Sequence, residues 1–229
     1  MTDICNRQER SRVGFDERDL TTLREELEAS MSPKRYAHTV AVEDMVAQLA
    51  ALYCPEDTLV LRAAALLHDI TKEMPIPLQQ ELCVSLGITL KKEDINAPKT
   101  LHARTAAAVI SENYPRFAHA DVISAVRWHT TGHKDMTLGE KLLYLADYID
   151  NTRLFPDCVR LRRAFWKGEI DPARMTEAER LRHLDRILVM SYDMTMQALL
   201  SEGSIVSADT VLARNDLIIA MQENQYERN

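Results

Sequence analysis

Thr58-Leu59-Val60-Leu61-Arg62-Ala63-Ala64-Ala65-Leu66-Leu67-His68-Asp69 is the stretch on which the fold turns. It is apolar on nearly every side, so a helix over 58–69 has no face to offer water and belongs in a core. An imidazole and a carboxylate close it, side by side. Burying an ionised carboxylate without a partner is costly, so a core helix that ends this way demands a cation or strong donors at that end.

The flanking text is helical too. Leu20, Leu23 and Leu27 recur at i, i+3, i+7 in an amphipathic segment over 16–29. Ser32-Pro33 supplies an N-cap and a first-turn proline for a helix over 34–52. Helices are further expected over 78–86, 91–95, 101–113, 120–129, 138–150, 156–167, 176–201 and 209–225, and residues 72–77 read as a loop. Only 6 Gly and 8 Pro stand among 229 residues, and 46% of the chain is hydrophobic. The fold class is therefore all-α, one domain over 31–229 preceded by an N-terminal extension, 1–30, that is partly disordered or forms one short helix.

Composition excludes several function classes. A net charge of −7 and a pI near 5.5 disfavour long nucleic acids as partners. The N-terminus has no apolar signal region, and no run approaches the roughly 20 apolar residues of a membrane span. Cys5, Cys54, Cys83 and Cys158 are scattered, as reduced thiols of a cytoplasmic protein are. A homodimer is compatible with the apolar positions of the helix over 176–201, although covering the core is their plainer use.

His38, His102, His129 and Asp147 each sit in a helical context of their own. A transition metal takes imidazole nitrogen and carboxylate oxygen, and helical proteins build such sites from facing helices. A lone histidine on an apolar helix is more often a satisfied core residue, and Asp147 has the alternative of an ion pair with Arg62 or Arg127. One ion shared by His38, His68, Asp69 and Asp147 answers the burial of all of them together. Arg35, Lys72 and Arg153 flank these segments as a phosphate clamp would. His129-Thr130-Thr131-Gly132 makes a turn suited to phosphate oxygens, or a plain C-cap. His119, His133 and His183 read as surface histidines.

In the order His38, His68-Asp69, Asp147 the chain resembles the HD-domain metal-dependent phosphohydrolases. Arg35-Tyr36-Ala37-His38, His68-Asp69-Ile70-Thr71-Lys72, Leu101-His102, His129-Thr130-Thr131-Gly132 and Ala146-Asp147-Tyr148-Ile149-Asp150 with Arg153 are similar to the YqeK-type branch. The members of that branch are symmetrical bis(5′-nucleosyl)-tetraphosphatases. Asp209-Thr210 and Arg214-Asn215 resemble its C-terminal text. The resemblance implies a helical bundle with a metal between helices, iron first, with manganese, nickel or zinc as alternatives. His38, His68, Asp69 and Asp147 would hold the metal. Arg35, Lys72, His102, His129, Thr130, Arg153, Thr210 and Asn215 would contact a dinucleoside polyphosphate or nucleoside diphosphate.

The implied reaction is hydrolysis of diadenosine tetraphosphate into two ADP by a metal-activated water. Asp69, Lys72, His102 and His129 are the catalytic candidates, the two histidines as acids or as ligands of a second metal. The rivals are another HD-type nucleotidase or phosphodiesterase, and a non-catalytic nucleotide-binding module. Three features depart from the branch. Ala103-Arg104-Thr105 stands where a small residue and a glycine are expected, with a bulk that would reshape the nucleotide pocket. Asp150 replaces a glutamate, and 168–182 is longer than usual.

Overall fold

The computed structural model describes residues 13–168 and 170–226. Among these, regular structure is helical and no strand occurs. The expectation for residues 1–12 falls outside the described residues.

Helix α1, Glu17–Ser30, starts at Asp16, whose carboxylate accepts the backbone N–H of Arg18 and Asp19. Its Leu20, Leu23 and Leu27 are buried in the main core. Phe15 is buried too, its ring 5.0 Å from that of Phe117. An aromatic next to a capping aspartate staples the helix entry to the core.

Helix α2, Pro33–Tyr53, is capped by Ser32. Helix α3, Thr58–Leu67, is the apolar rod read above, with Ala63 to Leu67 fully enclosed. It ends two residues before the sequence suggests. His68 keeps right-handed helical torsions, after which tight turns carry the chain, with Lys72 N–H on the carbonyl of Asp69.

Next come α4, Ile76–Ser85, α5, Lys92–Asn96, α6, Leu101–Asn113, and α7, Ala120–Trp128. They are followed by α8, Leu138–Ile149, α9, Pro156–Trp166, α10, Glu177–Ser201, and α11, Ala208–Tyr226. Thr137 and Thr176 each form a capping box with the glutamate three residues on, Glu140 and Glu179.

Helix α3 packs against α2 and α7, α8 against α2 and α7, and α6 against α7. Four helices, α2, α6, α7 and α8, thus gather at the end of α3, which points the His68-Asp69 doublet into their midst. Along the outer side α9 and α10 lie on one another and on α8. No helix among the described residues is long and apolar enough to cross a membrane.

Candidate metal centre

His38 comes from mid-α2, His68 and Asp69 from the end of α3, His102 from the first turn of α6, His129 from just past α7 and Asp147 from late α8. All six are buried. Two overlapping triplets, His38–His68–Asp147 and His68–Asp69–His129, each bring their ligand atoms within 4.8 Å of one another. The four proposed metal residues meet at one place. The structure adds His102 and His129 beside them.

The orientation of the imidazoles follows from their hydrogen bonds. His68 Nδ1 lies 2.5 Å from the carbonyl of Ala65, His102 Nδ1 2.9 Å from that of Lys99, and His129 Nδ1 2.7 Å from that of Val126. A carbonyl only accepts, so each Nδ1 carries the hydrogen, and in a neutral ring Nε2 is left as a lone pair. The partner is the residue three positions back each time, a local device that aims Nε2 away from its own helix.

In its neutral form His38 is held the same way, by the turn that follows α8. Its Nδ1 lies 3.2 Å from Thr152 Oγ1 and 3.5 Å from Asp150 Oδ2, while Nε2 stands 2.9 Å from Asp147 Oδ1. A second partner that fixes the tautomer of a ligating imidazole is the usual support of a metal site.

These lone pairs face an electron-rich neighbourhood. His68 Nε2 is 3.4 Å from Asp69 Oδ2, and Asp69 Oδ1 is 3.3 Å from His102 Nε2 and 3.7 Å from His129 Nε2. His68 Nε2 and Asp69 Oδ1 are buried without any hydrogen-bond partner. Buried polar atoms are almost always paired, and here acceptor confronts acceptor. The donor set, two imidazoles and two carboxylates with more imidazole adjacent, therefore fits a transition-metal cation. His38, His68, Asp69 and Asp147 are the residues that would hold it.

Electrostatics agree. Burial opposes ionisation of Asp69, but a positive charge or proton on the side of His68, His129 and His102, the place a cation would take, holds its carboxyl well below the usual range. Asp147 is likewise held low against burial, by Arg153, His38 and His68. Burial works against the His38 imidazolium, yet Asp147 and Asp150 raise its pKa to about 9, so without an ion Nε2 holds a proton toward Asp147 that a metal would displace. His102 and His129 are pushed the other way, chiefly by burial, so they remain neutral, as ligands or hydrogen-bond partners must.

The cations stand around the cluster. Arg35 donates to Asp69 Oδ2. Arg153 donates to Asp147 Oδ1 at 2.5 Å and to the Asp147 carbonyl at 3.0 Å, so Asp147 pairs with Arg153 and not with Arg62 or Arg127. Lys72 Nζ lies 3.0 Å from His102 Nε2, and burial lowers its pKa. Thr130 Oγ1 is 3.0 Å from Nε2 of both His102 and His129.

Thr210 stands one step back, its hydroxyl on the carbonyl of Thr131. Asn215 is exposed and accepts from Arg214 at 3.3 Å, away from the cluster. Gly132 ends the turn with φ +63°, where a Cβ would fall 2.0 Å from the Tyr192 hydroxyl. The glycine is required on both counts.

The cluster opens on a cavity of about 400 Å³ between α8, α9 and α10. Lys72, Thr130, Asp147 and Arg153 form its polar end, and Tyr148, Phe155, Leu161 and Met194 its apolar wall. Sequence reading missed that wall, and Asp150 and Thr152 as supports of His38. The signal available was Ser191 and Thr195, polar positions one turn apart on a helix with a buried face.

Other readings need correction. His183 is buried, 3.0 Å from the Phe165 carbonyl, and His133 lies 3.1 Å from Glu140 Oε2. Arg104 does not reshape this cavity, because it turns to Asp94, 2.9 Å away. Thr105 is buried, with its hydroxyl 2.7 Å from that of Thr71, and ties α6 to the turn after Asp69.

Residues 35–152 match the family model described as HD domain. "Bis(5′-nucleosyl)-tetraphosphatase, symmetrical" of Bacillus subtilis (strain 168) is 29% identical over 188 residues, 82% of this chain and 91% of the relative. The protein of the same name from Staphylococcus aureus (strain NCTC 8325 / PS 47) is 31% identical over 141 residues, 60% of this chain and 70% of its own. A solved structure from Clostridium acetobutylicum, titled a predicted HD superfamily hydrolase involved in NAD metabolism, superposes with a TM-score of 0.75 at 32% identity. It covers 87% of this chain and 97% of that one.

Proposed function

The chain belongs to the HD-domain family, and we propose that within it this protein hydrolyses diadenosine tetraphosphate symmetrically, giving two ADP. The observation that carries the reading is the pair of orphaned buried atoms, His68 Nε2 and Asp69 Oδ1, with Arg35 on the same carboxylate and a part-apolar cavity lined by Lys72 and Arg153 alongside. The names of the curated relatives support the substrate.

Iron is the proposed metal, held by His38, His68, Asp69 and Asp147. Bound there, it would supply Lewis acidity to a phosphoryl oxygen and to water. The chain's own residues do the rest. Arg35, Lys72 and Arg153 surround the space next to the carboxylates and offset charge that builds on the phosphoryl oxygens and the leaving diphosphate. Lys72, a half-buried ammonium with a lowered pKa, is the group suited to protonate that leaving group. His102 and His129, kept neutral by burial with Nε2 as a lone pair, position Lys72 Nζ and the Thr130 hydroxyl, each 3.0 Å away, instead of acting as acids. The wall of Tyr148, Phe155 and Met194 receives an adenosine, and its closure against solvent strengthens the charge interactions at the polar end.

A second reading has one observation in its favour. The triplet His68–Asp69–His129 suits a second ion, as in nucleotidases or phosphodiesterases that clamp a phosphate between two metals. A product assay on metal-loaded protein separates the two. Diadenosine tetraphosphate should yield ADP alone. ATP plus AMP, or no turnover alongside cleavage of mononucleotides, rejects the proposal.

A further inference from the structure

We propose that a groove between α6 and α7 is a second binding site, specific for an organic anion that carries a phosphate or carboxylate on an apolar body. The groove, about 380 Å³, is lined by Arg104, Ala107 and Ala108 of α6, Ile123 and Arg127 of α7, and Ile88. His102 and Arg104, like Arg127 and His129, are two residues apart. At 100° per residue, such pairs point to nearly opposite sides. The groove is therefore distinct from the metal cluster that His102 and His129 face.

Arg127 is the unusual element. Among the described residues its guanidinium has no ion-pair partner within 4.0 Å and no hydrogen bond to the protein; the guanidinium carbon lies 3.9 Å from the centre of the Trp128 ring. Its donors are free to reach the groove. Arg104 is fixed from behind by one hydrogen bond, from Nη1 to Asp94 Oδ2 at 2.9 Å, which leaves its other nitrogens for a ligand. Asp94 and Asp209 also influence Arg127, but from beyond ion-pair distance.

Two guanidinium groups in one depression repel unless an anion joins them. Burial first, and then the neighbouring Arg104, lower the pKa of Arg127 to about 10, in keeping with a charge short of its counter-ion. Phosphate and carboxylate both match paired guanidinium forks. The alanine and isoleucine walls select a ligand with an apolar part.

The test uses Trp128, one of two tryptophans in the chain, in full-length protein carrying Trp166→Phe. Its emission is followed on titration with phenyl phosphate and, separately, with phenylacetate. A saturable change with a dissociation constant of about 1 mM or tighter is expected for at least one of them. Arg127→Gln and Arg104→Gln should each weaken it about tenfold, while Asp69→Ala leaves it unchanged. Tighter binding of phenyl phosphate identifies a phosphate ligand, and tighter binding of phenylacetate a carboxylate.

No saturation with either anion by about 10 mM overturns the proposal. So does a response that survives Arg127→Gln, or one that vanishes with Asp69→Ala and so belongs to the metal cluster. If Arg127→Gln does not fold, the Nε–H resonances of Arg104 and Arg127 in the unsubstituted chain decide. They shift saturably with the anion if the site exists and stay still if it does not.

Discussion

Glu43 and Asp69 are both buried carboxylates on the inner faces of the same bundle, yet their surroundings differ in kind. Glu43 accepts from Arg24 Nε at 2.7 Å, from Arg24 Nη2, and from Arg62 Nε at 2.9 Å. Arg62 in turn donates to Glu17. The protein itself closes this network, which joins α1, α2 and α3. Asp69 has one donor, Arg35, on Oδ2, while Oδ1 faces two imidazole nitrogens and has no partner. Buried charge alone therefore does not mark a functional site. What marks it is charge that the chain leaves incompletely answered.

The contrast breaks first at Asp69. Asp69→Ala should lower turnover of diadenosine tetraphosphate by about 10³-fold or more. The same change should alter the stability of metal-free protein by less than about 1 kcal/mol, because it also relieves the crowding of acceptors. Denaturant melts of chelated samples check this, and a large loss of stability would mean that Asp69 is structural.

Glu43→Ala should do the reverse. It strands two arginines that keep some solvent access, so the loss is about 2–4 kcal/mol, in and somewhat below the range for a fully buried pair. Turnover of the folded fraction should stay within about twofold of wild type. A melt that moved little would show that the network contributes less than its geometry suggests.

A smaller effect sharpens the comparison at Asp150, which supports His38 from behind. Asp150→Asn keeps the shape but removes the negative charge 3.5 Å from Nδ1, and metal affinity should fall about 10–100-fold. Competition with a chromogenic chelator measures this. Unchanged affinity would remove Asp150 from the site.

The smallest effect concerns pH. His183 is a satisfied core histidine whose pKa burial lowers from 6.5. The unfolded chain then binds more protons than the folded one as pH falls through 6.5. Its contribution is complete above that pH and declines below it. His183→Gln should flatten the decline in stability between pH 7 and pH 5 by less than about 1 kcal/mol, and urea melts across that window report it.

Helix positions were legible because capping residues and apolar periods are local. Ser32-Pro33 fixes the start of α2 within a residue. The convergence of His38, His68, Asp69 and Asp147 was legible because one cation is the economical answer to acids in apolar helices. Facing, by contrast, is decided by packing. Nothing local shows that Arg104 turns to Asp94 while His102 turns to the metal cluster, or that His183 is roofed by the carbonyl of Phe165. The Glu43 network was invisible for the same reason, since its partners are 19 residues away on either side.

Metal content, measured by elemental analysis on protein purified anaerobically from iron-supplemented cultures, tests the central claim most directly. Wild type should carry at least about one equivalent of transition metal per chain, lost in Asp69→Ala and retained in Glu43→Ala. A wild-type chain without stoichiometric metal, or an Asp69→Ala chain that keeps it, would contradict the account.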